Sequence, residues 1–320
     1  MKAALYDEAG GYYRRFDLER WGREGDYRTS PERSKLFAAT FARYFASLYE
    51  ELRRPPAWTI VEIGGGRGDF AAGALRALQD HFTVVFDATR YVPIETNEEL
   101  EDLSPIKPGI FFSNELLDAF PVHRLIQTND GLLELYVSVE NERFVWSTGP
   151  LSTPALSEFC REYSVELEPD QIIEVNLAID DWLKAVAAKL ESGFLITVDY
   201  GAESCDLYDV ALRPQGTLRA FSRHNFVDDV LAQPGDYDIT SSVNWSQVQA
   251  AGARVGFETV TFAQQDRFLL DAGLLKELER EMNKTTSDAD KLTLSAGARE
   301  MILPGGMGSS FQVLVQKRGL

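Results

Sequence analysis

The run Glu62-Ile63-Gly64-Gly65-Gly66-Arg67-Gly68 constrains the fold more than any other part of the chain. It follows Trp58 to Ile63, a short β-branched segment of the kind buried in a sheet, and precedes Phe70 to Leu78, a small-residue helical stretch. Glycines at a strand-to-helix passage let the backbone approach a ligand closely, and that context gives such a loop its meaning. Strand patterns recur at Thr83 to Phe86, Arg90 to Ile94, Ile110 to Ser113, Phe194 to Asp199, Glu258 to Phe262 and Phe311 to Gln316, most of them separated by helical stretches. The alternation predicts an α/β fold built on a mostly parallel seven-stranded sheet with helices on both faces.

Other segments decorate this framework. Thr29-Ser30-Pro31-Glu32 has the form of a capping box, and it opens a helix whose apolar side carries Leu36, Phe37, Phe41, Tyr44, Phe45 and Leu48. Between Ser113 and Phe194 lies a long excursion. Val122 to Gln127, Leu132 to Glu140 and Arg143 to Ser147 read as an antiparallel hairpin insert, with turns at Asn129-Asp130-Gly131 and Asn141. Ile172 to Leu190 reads as one long helix. Asn244, with Gln247 three residues on, opens another that Gly252 closes, and extra C-terminal helices follow at Gly273 to Met282 and Asp288 to Ile302.

Charge and composition exclude several partners. Asp and Glu number 50 against 32 Lys and Arg, a net charge of −18, so nucleic acid would be repelled over most of its approach. The 44% hydrophobic content is enough for a large core and rules out a disordered tail. Cys160 and Cys205 are far apart and outside any C-x-x-C pair, and His81, His123 and His224 lack metal-ligand spacing, so neither a disulfide nor a metal site is expected. With no apolar run near the roughly 18 residues of a membrane span, membrane insertion is not expected and a reduced, cytoplasmic setting is.

The glycine loop discriminates among ligands. A phosphate-gripping loop would end in Gly-Lys-Ser/Thr, where this chain has Gly68-Asp69-Phe70, and a G-x-G-x-x-G loop would put Asp69 in its last place. A carboxylate there repels a pyrophosphate. The acid-x-G-x-G-x-G pattern matches the loop that Rossmann-like methyltransferases use for S-adenosylmethionine, with Glu62 attracting the ammonium and Gly64, Gly65, Gly66 and Gly68 admitting the methionine and ribose parts. A tight turn with no ligand is the alternative. Glu95, ending the strand after the loop, is placed to accept from both ribose hydroxyls, or else to cap the helix starting near Asn97.

A third cluster runs from Phe112 to His123. Glu115 and Asp118 are three residues apart, so one helical turn would present both carboxylates on one side, where they suit a guanidinium and could localise its charge away from the attacking nitrogen. Asn114 and His123 are weaker candidates for cofactor or substrate contact, and a satisfied surface histidine is an equal reading of His123. Leu132, Leu133, Leu135 and Tyr136 of the insert could form a partner surface or pack on their own domain.

In this order, Gly25 to Glu32, Glu62 to Gly68, Ser113 to His123 and Asp199-Tyr200-Gly201, followed by Gly216 to Ala220, Pro234 to Thr240, Gln264 to Leu269 and Gly306-Met307-Gly308, resemble the MidA family over nearly the whole chain. Asp69-Phe70 departs from the Thr and Leu of the family pattern. The resemblance implies a Rossmann-like S-adenosylmethionine-dependent methyltransferase with S-adenosylhomocysteine as product. Mitochondrial members of the family are complex I assembly factors that methylate an arginine, so the expected substrate is a protein, met through a basic or arginine-containing segment. The resemblance also implies that the stretch with Asp26, Thr29 and Ser30 folds over the cofactor. The expected organisation is an N-terminal helical cap over residues 1–55 and a methyltransferase domain over 56–320, with a hairpin and helix insert at 122–192 and a helical addition at 265–304. An assembly protein with little turnover, a small-molecule O- or N-methyltransferase and a homodimer all stay open.

Overall fold

The computed structural model describes residues 1–15, 18, 35–222, 225–227, 229–303 and 309–320. Its strands, in chain order, are β1 (Trp58–Ile63), β2 (Thr89–Ile94), β3 (Gly109–Asn114), β4 (His123–Thr128), β5 (Gly131–Glu140), β6 (Arg143–Gly149) and β7 (Ile172–Val175). They continue with β8 (Gly193–Ala202), β9 (Arg219–Ser222), β10 (Asn225–Val227), β11 (Asp238–Thr240), β12 (Val243–Asn244), β13 (Glu258–Gln264) and β14 (Phe311–Arg318). The chain divides into two compact units, one comprising Thr29–Leu116, Leu183–Tyr200 and Gly252–Leu320, the other Met1–Arg28, Leu117–Trp182 and Gly201–Ala251.

The first unit holds the central sheet, ordered β13-β14-β8-β3-β1-β2. β2, β1, β3 and β8 are parallel neighbours, whereas β14 runs antiparallel to β8 and β13 antiparallel to β14. The sheet is therefore mixed, though mostly parallel. The register aligns Ile63 with Ser113 and Ser113 with Thr197, so β1 and β3 finish side by side against the middle of β8, which runs on to Ala202. Open α/β sheets bind ligands at that edge.

An aromatic core packs on one face of this sheet. Helix Lys35–Glu51 buries Phe37, Phe41 and Phe45 at intervals of about one helical turn, and Phe70 lies in the first turn of helix Asp69–His81. Phe112 of β3 stacks on Phe70 at 4.2 Å between ring centroids and meets Phe41 at 5.1 Å and Phe45 at 5.8 Å. Phe268, from helix Gln265–Ala272, stacks on Phe41 at 5.4 Å.

The second unit contains two smaller sheets. β6-β5-β4-β7 is antiparallel and includes the expected hairpins, and β10-β9-β11 is also antiparallel. Helix Lys2–Tyr6 and the short turn Tyr12–Arg14 pack Leu5 and Tyr12 against Ala220 and Ile239. Among the described residues no helix is long and apolar enough to cross a membrane.

Three local expectations are corrected. Thr83 to Phe86, read as a strand, lies in helix Thr83–Ala88, where the N–H groups of Val85 and Phe86 both bond to the carbonyl of Phe82. A short β-branched run has no periodicity to separate the two states, and hydrogen bonding to the preceding turn decides it here. Ile172 to Leu190 is not one helix: Ile172–Val175 is fully buried and pairs with β4, and Asn176 then accepts from the N–H of Ala178 to start helix Ala178–Lys189. The helix after Asn244 passes through Gly252 to Arg254, and Gly256 at φ 88° follows its end. The count of seven strands survives by a different route, because the seventh is β12, two residues long, paired with Gly201 and Ala202 at the end of β8.

Phe112→Ala should cost about 3–5 kcal/mol of stability in urea unfolding, as expected for a large aromatic side chain removed from a packed core. Val84→Ala, at a side chain 69% exposed, should stay within about 0.5 kcal/mol of the parent.

Candidate functional site

The glycine loop is held from below by a buried carboxylate. Glu62, one residue from the end of β1, is 4% exposed, and Tyr91 of β2 donates its hydroxyl to Glu62 Oε2 at 2.7 Å. A side chain on Gly65 would put its Cβ 2.8 Å from Cδ of Glu62, so only glycine leaves room for the carboxyl group under the loop. Gly64, Gly66 and Gly68 have φ of 74°, 57° and 79°, the left-handed region that glycine enters without strain. The N–H of Gly64 bonds to the carbonyl of Ile94 at 2.8 Å, and the N–H of Gly66 donates to Glu95 Oε1 at 2.9 Å. Glu95 therefore reaches the loop and is not the helix cap. Thr96 takes that place, in a reciprocal capping box with Glu99.

Burial drives the electrostatics. It raises the Glu62 carboxyl from its usual 4.5 to about 7, with the Tyr91 hydroxyl opposing the shift and the Glu95 charge adding to it. Glu95 reaches solvent yet is also raised, first by its enclosure against the loop, with the N–H of Gly66 pulling the other way. A carboxylate this reluctant to ionise is a seat for a cation, whose arrival restores its charge.

The loop after β3 is held against β8 at the same edge. Asn114 ends β3 and donates from Nδ2 to Glu115 Oε1 at 3.1 Å, while the N–H of Glu115 bonds to the carbonyl of Val198 at 2.9 Å. Leu116 donates its N–H to Asp199 Oδ2 at 3.2 Å, and its side chain comes within 3.0 Å of where a Cβ on Gly64 would lie. The glycine loop, Asn114 and Glu115 are thus brought to one rim. Tyr91 and Asp199, which is wholly buried, belong to this framework and were not among the expected site residues. For Asp199 a signal was present, since it is the acid that ends the apolar run Phe194 to Val198.

Glu115 has φ 54°, so the helical turn starts only at Leu117 and Glu115 is not part of it. Asp118 belongs to the other unit, where it is 5% exposed and its carbonyl accepts the N–H of Ser241 at 2.9 Å. His123, in that same unit, starts β4 and holds Glu134 Oε1 at 2.7 Å through Nδ1, and Glu134 Oε2 also accepts from the N–H of Ser152 and the Tyr136 hydroxyl. Asp26, Thr29 and Ser30 lie outside the described residues, as do His224 and Gly306-Met307-Gly308.

The residues present fit S-adenosylmethionine. The buried Glu62 carboxylate could face the ammonium, the glycine backbone could admit the methionine and ribose parts, and Glu95 could accept from ribose hydroxyls in place of the Gly66 N–H. In the folded chain Glu62 keeps a proton between pH 4.5 and about 7 that the unfolded chain has lost, so stability falls as pH rises through this window. Glu62→Gln should therefore stabilise the cofactor-free protein above pH 7, by up to about 3 kcal/mol, and leave it unchanged at pH 4. Thermal melts at the two pH values check this, and calorimetry should show weaker S-adenosylhomocysteine binding by the same variant.

Comparison with known proteins identifies the family. A family model described as "Putative S-adenosyl-L-methionine-dependent methyltransferase" matches residues 40–104 and 98–263. The chain is 26% identical to "Protein arginine methyltransferase NDUFAF7, mitochondrial" of Mus musculus, over 97% of this chain and 78% of that protein. It is 24% identical to the protein of the same name from Homo sapiens, over 97% and 77%. A crystal structure of a COG1565 superfamily member from Burkholderia thailandensis, bound to S-adenosyl-homocysteine, superposes with a TM-score of 0.87 at 27% identity, covering 99% of this chain and 86% of that one. The family match spans well over half of the sequence, and the chain belongs to this family of S-adenosylmethionine-dependent methyltransferases, of MidA type.

Proposed function

We propose that this methyltransferase acts on an arginine side chain of a protein. The observation that carries the reading is the likeness, along 97% of the chain, to relatives named protein arginine methyltransferases. The cytoplasmic setting expected from the sequence belongs to this proposal, whereas those relatives are mitochondrial by name.

Bound S-adenosylmethionine supplies an electrophilic methyl group on a sulfonium. Glu62 holds the ammonium through its carboxylate, the glycine loop lies along the methionine and ribose portions, and Glu95 accepts from the ribose hydroxyls. Asn114, at the carboxyl end of β3, sits where it can touch both cofactor and acceptor. A division into an N-terminal part of residues 1–55 and a methyltransferase domain of residues 56–320, with additions at 122–192 and 265–304, belongs to the same proposal. Glu115 and Asp118 bind the guanidinium and draw its positive charge toward the nitrogens they hold, which leaves the lone pair of the remaining nitrogen aligned for in-line attack. The new N–C bond forms as the C–S bond breaks, its electrons pass to sulfur, and the excess proton leaves the guanidinium for a carboxylate or water. His123, engaged with Glu134, ties β4 to β5 within the insert, and its part in the reaction is the positioning of that strand.

Incubation with methyl-labelled S-adenosylmethionine and a cognate lysate should label a protein band whose hydrolysate contains methylarginine. Asp118→Ala should lower that labelling by roughly a hundredfold or more, in line with loss of a buried charged contact to the reacting group. Label recovered only as methyllysine, or equal labelling by the variant, would refute the arginine reading.

A further inference from the structure

We infer that Tyr91 is a positioning residue for the cofactor: by donating its hydroxyl to one oxygen of Glu62, it favours the charged carboxylate in an apolar setting and leaves the other oxygen for the cofactor's ammonium. The inference rests on the assignment of Glu62 to the ammonium made above, and it concerns only the unit that holds the central sheet.

The strand register shows why a tyrosine is needed at this place. β1 and β2 pair in parallel, with Ile60 opposite Tyr91 and Glu62 opposite Pro93. Residues two apart share a side of a strand, so Ile60, Glu62, Tyr91 and Pro93 lie on one face, and Phe112 of β3, which pairs with Glu62, lies there too. The carboxylate is thus flanked by an aromatic ring on one side and a proline on the other, and neither side chain carries a donor. Tyr91 starts two residues lower on β2, roughly 6.6 Å along the strand, and its ring spans that distance to bring the hydroxyl up to the carboxylate. The ring packs against the core cluster that contains Ile60 and Phe112, which fixes its direction. A phenylalanine there would fill the same space and donate nothing.

The two carboxylate oxygens are used differently. Oε2 accepts the Tyr91 hydroxyl at 2.7 Å, whereas Oε1 takes no hydrogen bond from the described residues and is not among the buried atoms cut off from the surface. Burial pushes the Tyr91 hydroxyl far upward, and the Glu62 charge and the hydrogen bond add to this, so the shared proton stays on the tyrosine. A donor held in this way favours the ionised acceptor.

The other neighbours do not. The charge of Glu95, just after β2, acts against that of Glu62. At the start of helix Asp69–His81, Arg67 and Asp69 are half exposed and hold each other at 3.2 Å, and helix Lys35–Glu51 gives Phe37, Phe41 and Phe45 to the core on this face. Of the groups that act on Glu62, the Tyr91 hydroxyl alone favours its charge. Because the ammonium pairs with the charged form, apparent cofactor affinity scales with the fraction of Glu62 that is ionised. Losing the hydroxyl lowers that fraction near neutral pH, and a higher pH restores it.

The test uses the full chain, titrated by calorimetry between pH 6 and 9 with S-adenosylhomocysteine and with 5′-methylthioadenosine, which keeps the adenosine part and lacks the ammonium. Tyr91→Phe should weaken S-adenosylhomocysteine roughly tenfold at pH 7, and the ratio of parent to variant affinity should close to within about twofold at pH 9. The ligand's own amine titrates equally in both experiments and drops out of the ratio. Methylthioadenosine should bind both proteins alike at every pH. In a Glu62→Gln background, Tyr91→Phe should cost nothing further. Replacing Tyr91 by 3-fluorotyrosine keeps the ring and strengthens the donor, so it should move the midpoint of the pH profile downward, and it carries the test if Tyr91→Phe does not fold. A loss that is the same at pH 7 and pH 9, or that extends to methylthioadenosine, makes Tyr91 a packing residue and overturns the inference. Unchanged S-adenosylhomocysteine binding in Glu62→Gln overturns the assignment of Glu62 and the inference with it. Weakened binding in Glu62→Gln beside an unaltered pH profile in Tyr91→Phe refutes the role of Tyr91 and leaves that of Glu62 standing.

Discussion

The carboxylate of Glu62, buried under a turn that would otherwise need no charge, is the constraint on which the rest of the site depends. It sits where β1 becomes loop, is met by the Tyr91 hydroxyl, and leaves Gly65 no room for a side chain. Desolvation makes this group costly to ionise when nothing cationic is near. A fold selected for stability alone has no use for it. The left-handed glycines around it and the contact from the Gly66 N–H to Glu95 then follow as ways of wrapping backbone around a charge that waits for a partner.

The aromatic core explains why that arrangement holds its shape. Phe112 lies two residues before Asn114 on β3 and is clamped between Phe70 of the helix that starts after the glycine loop and Phe41 and Phe45 of helix Lys35–Glu51. One packed cluster therefore fixes both the loop after β1 and the end of β3. Dense interiors transmit strain poorly to one side only, so a shift at either rim would have to disturb both.

What could be read from the sequence was what is local. The glycine loop declared itself because strand, turn and helix are consecutive, and the hairpins of β4 to β6 because their turn residues sit between alternating segments. Thr83 to Phe86 was misread because so short a run, three of its residues β-branched, carries no period, and Ile172–Val175 was absorbed into the helix that follows because its burial depends on pairing with β4. Tyr91 escaped notice for a related reason: its partnership with Glu62 exists only in the register of β1 on β2. That Glu95 reaches the glycine loop and does not cap the helix required seeing it accept from the Gly66 N–H and Thr96 pair with Glu99. The acid excess, which first served only to exclude polyanions, is not all solvated surface, since Glu134, Glu174, Asp199 and Glu277 are buried alongside Glu62 and Asp118.

β3 and β8 are hydrogen-bonded neighbours, yet the chain leaves one at Asn114 and enters the other at Gly193. The middle of the sheet thus closes a loop far longer than an ordinary helical crossover. Closure entropy grows only by about 0.6 kcal/mol for each doubling of loop length, so the native state bears the detour easily. The route to it is affected more, since a non-local parallel pair forms late and leaves strand edges open in the meantime. Hairpins β4 to β6 can close on their own within that interval. The same topology makes the interval between β3 and β8 a place where sequence can be added or exchanged without altering the sheet, so that evolution could change what is recognised while the cofactor edge stays as it is.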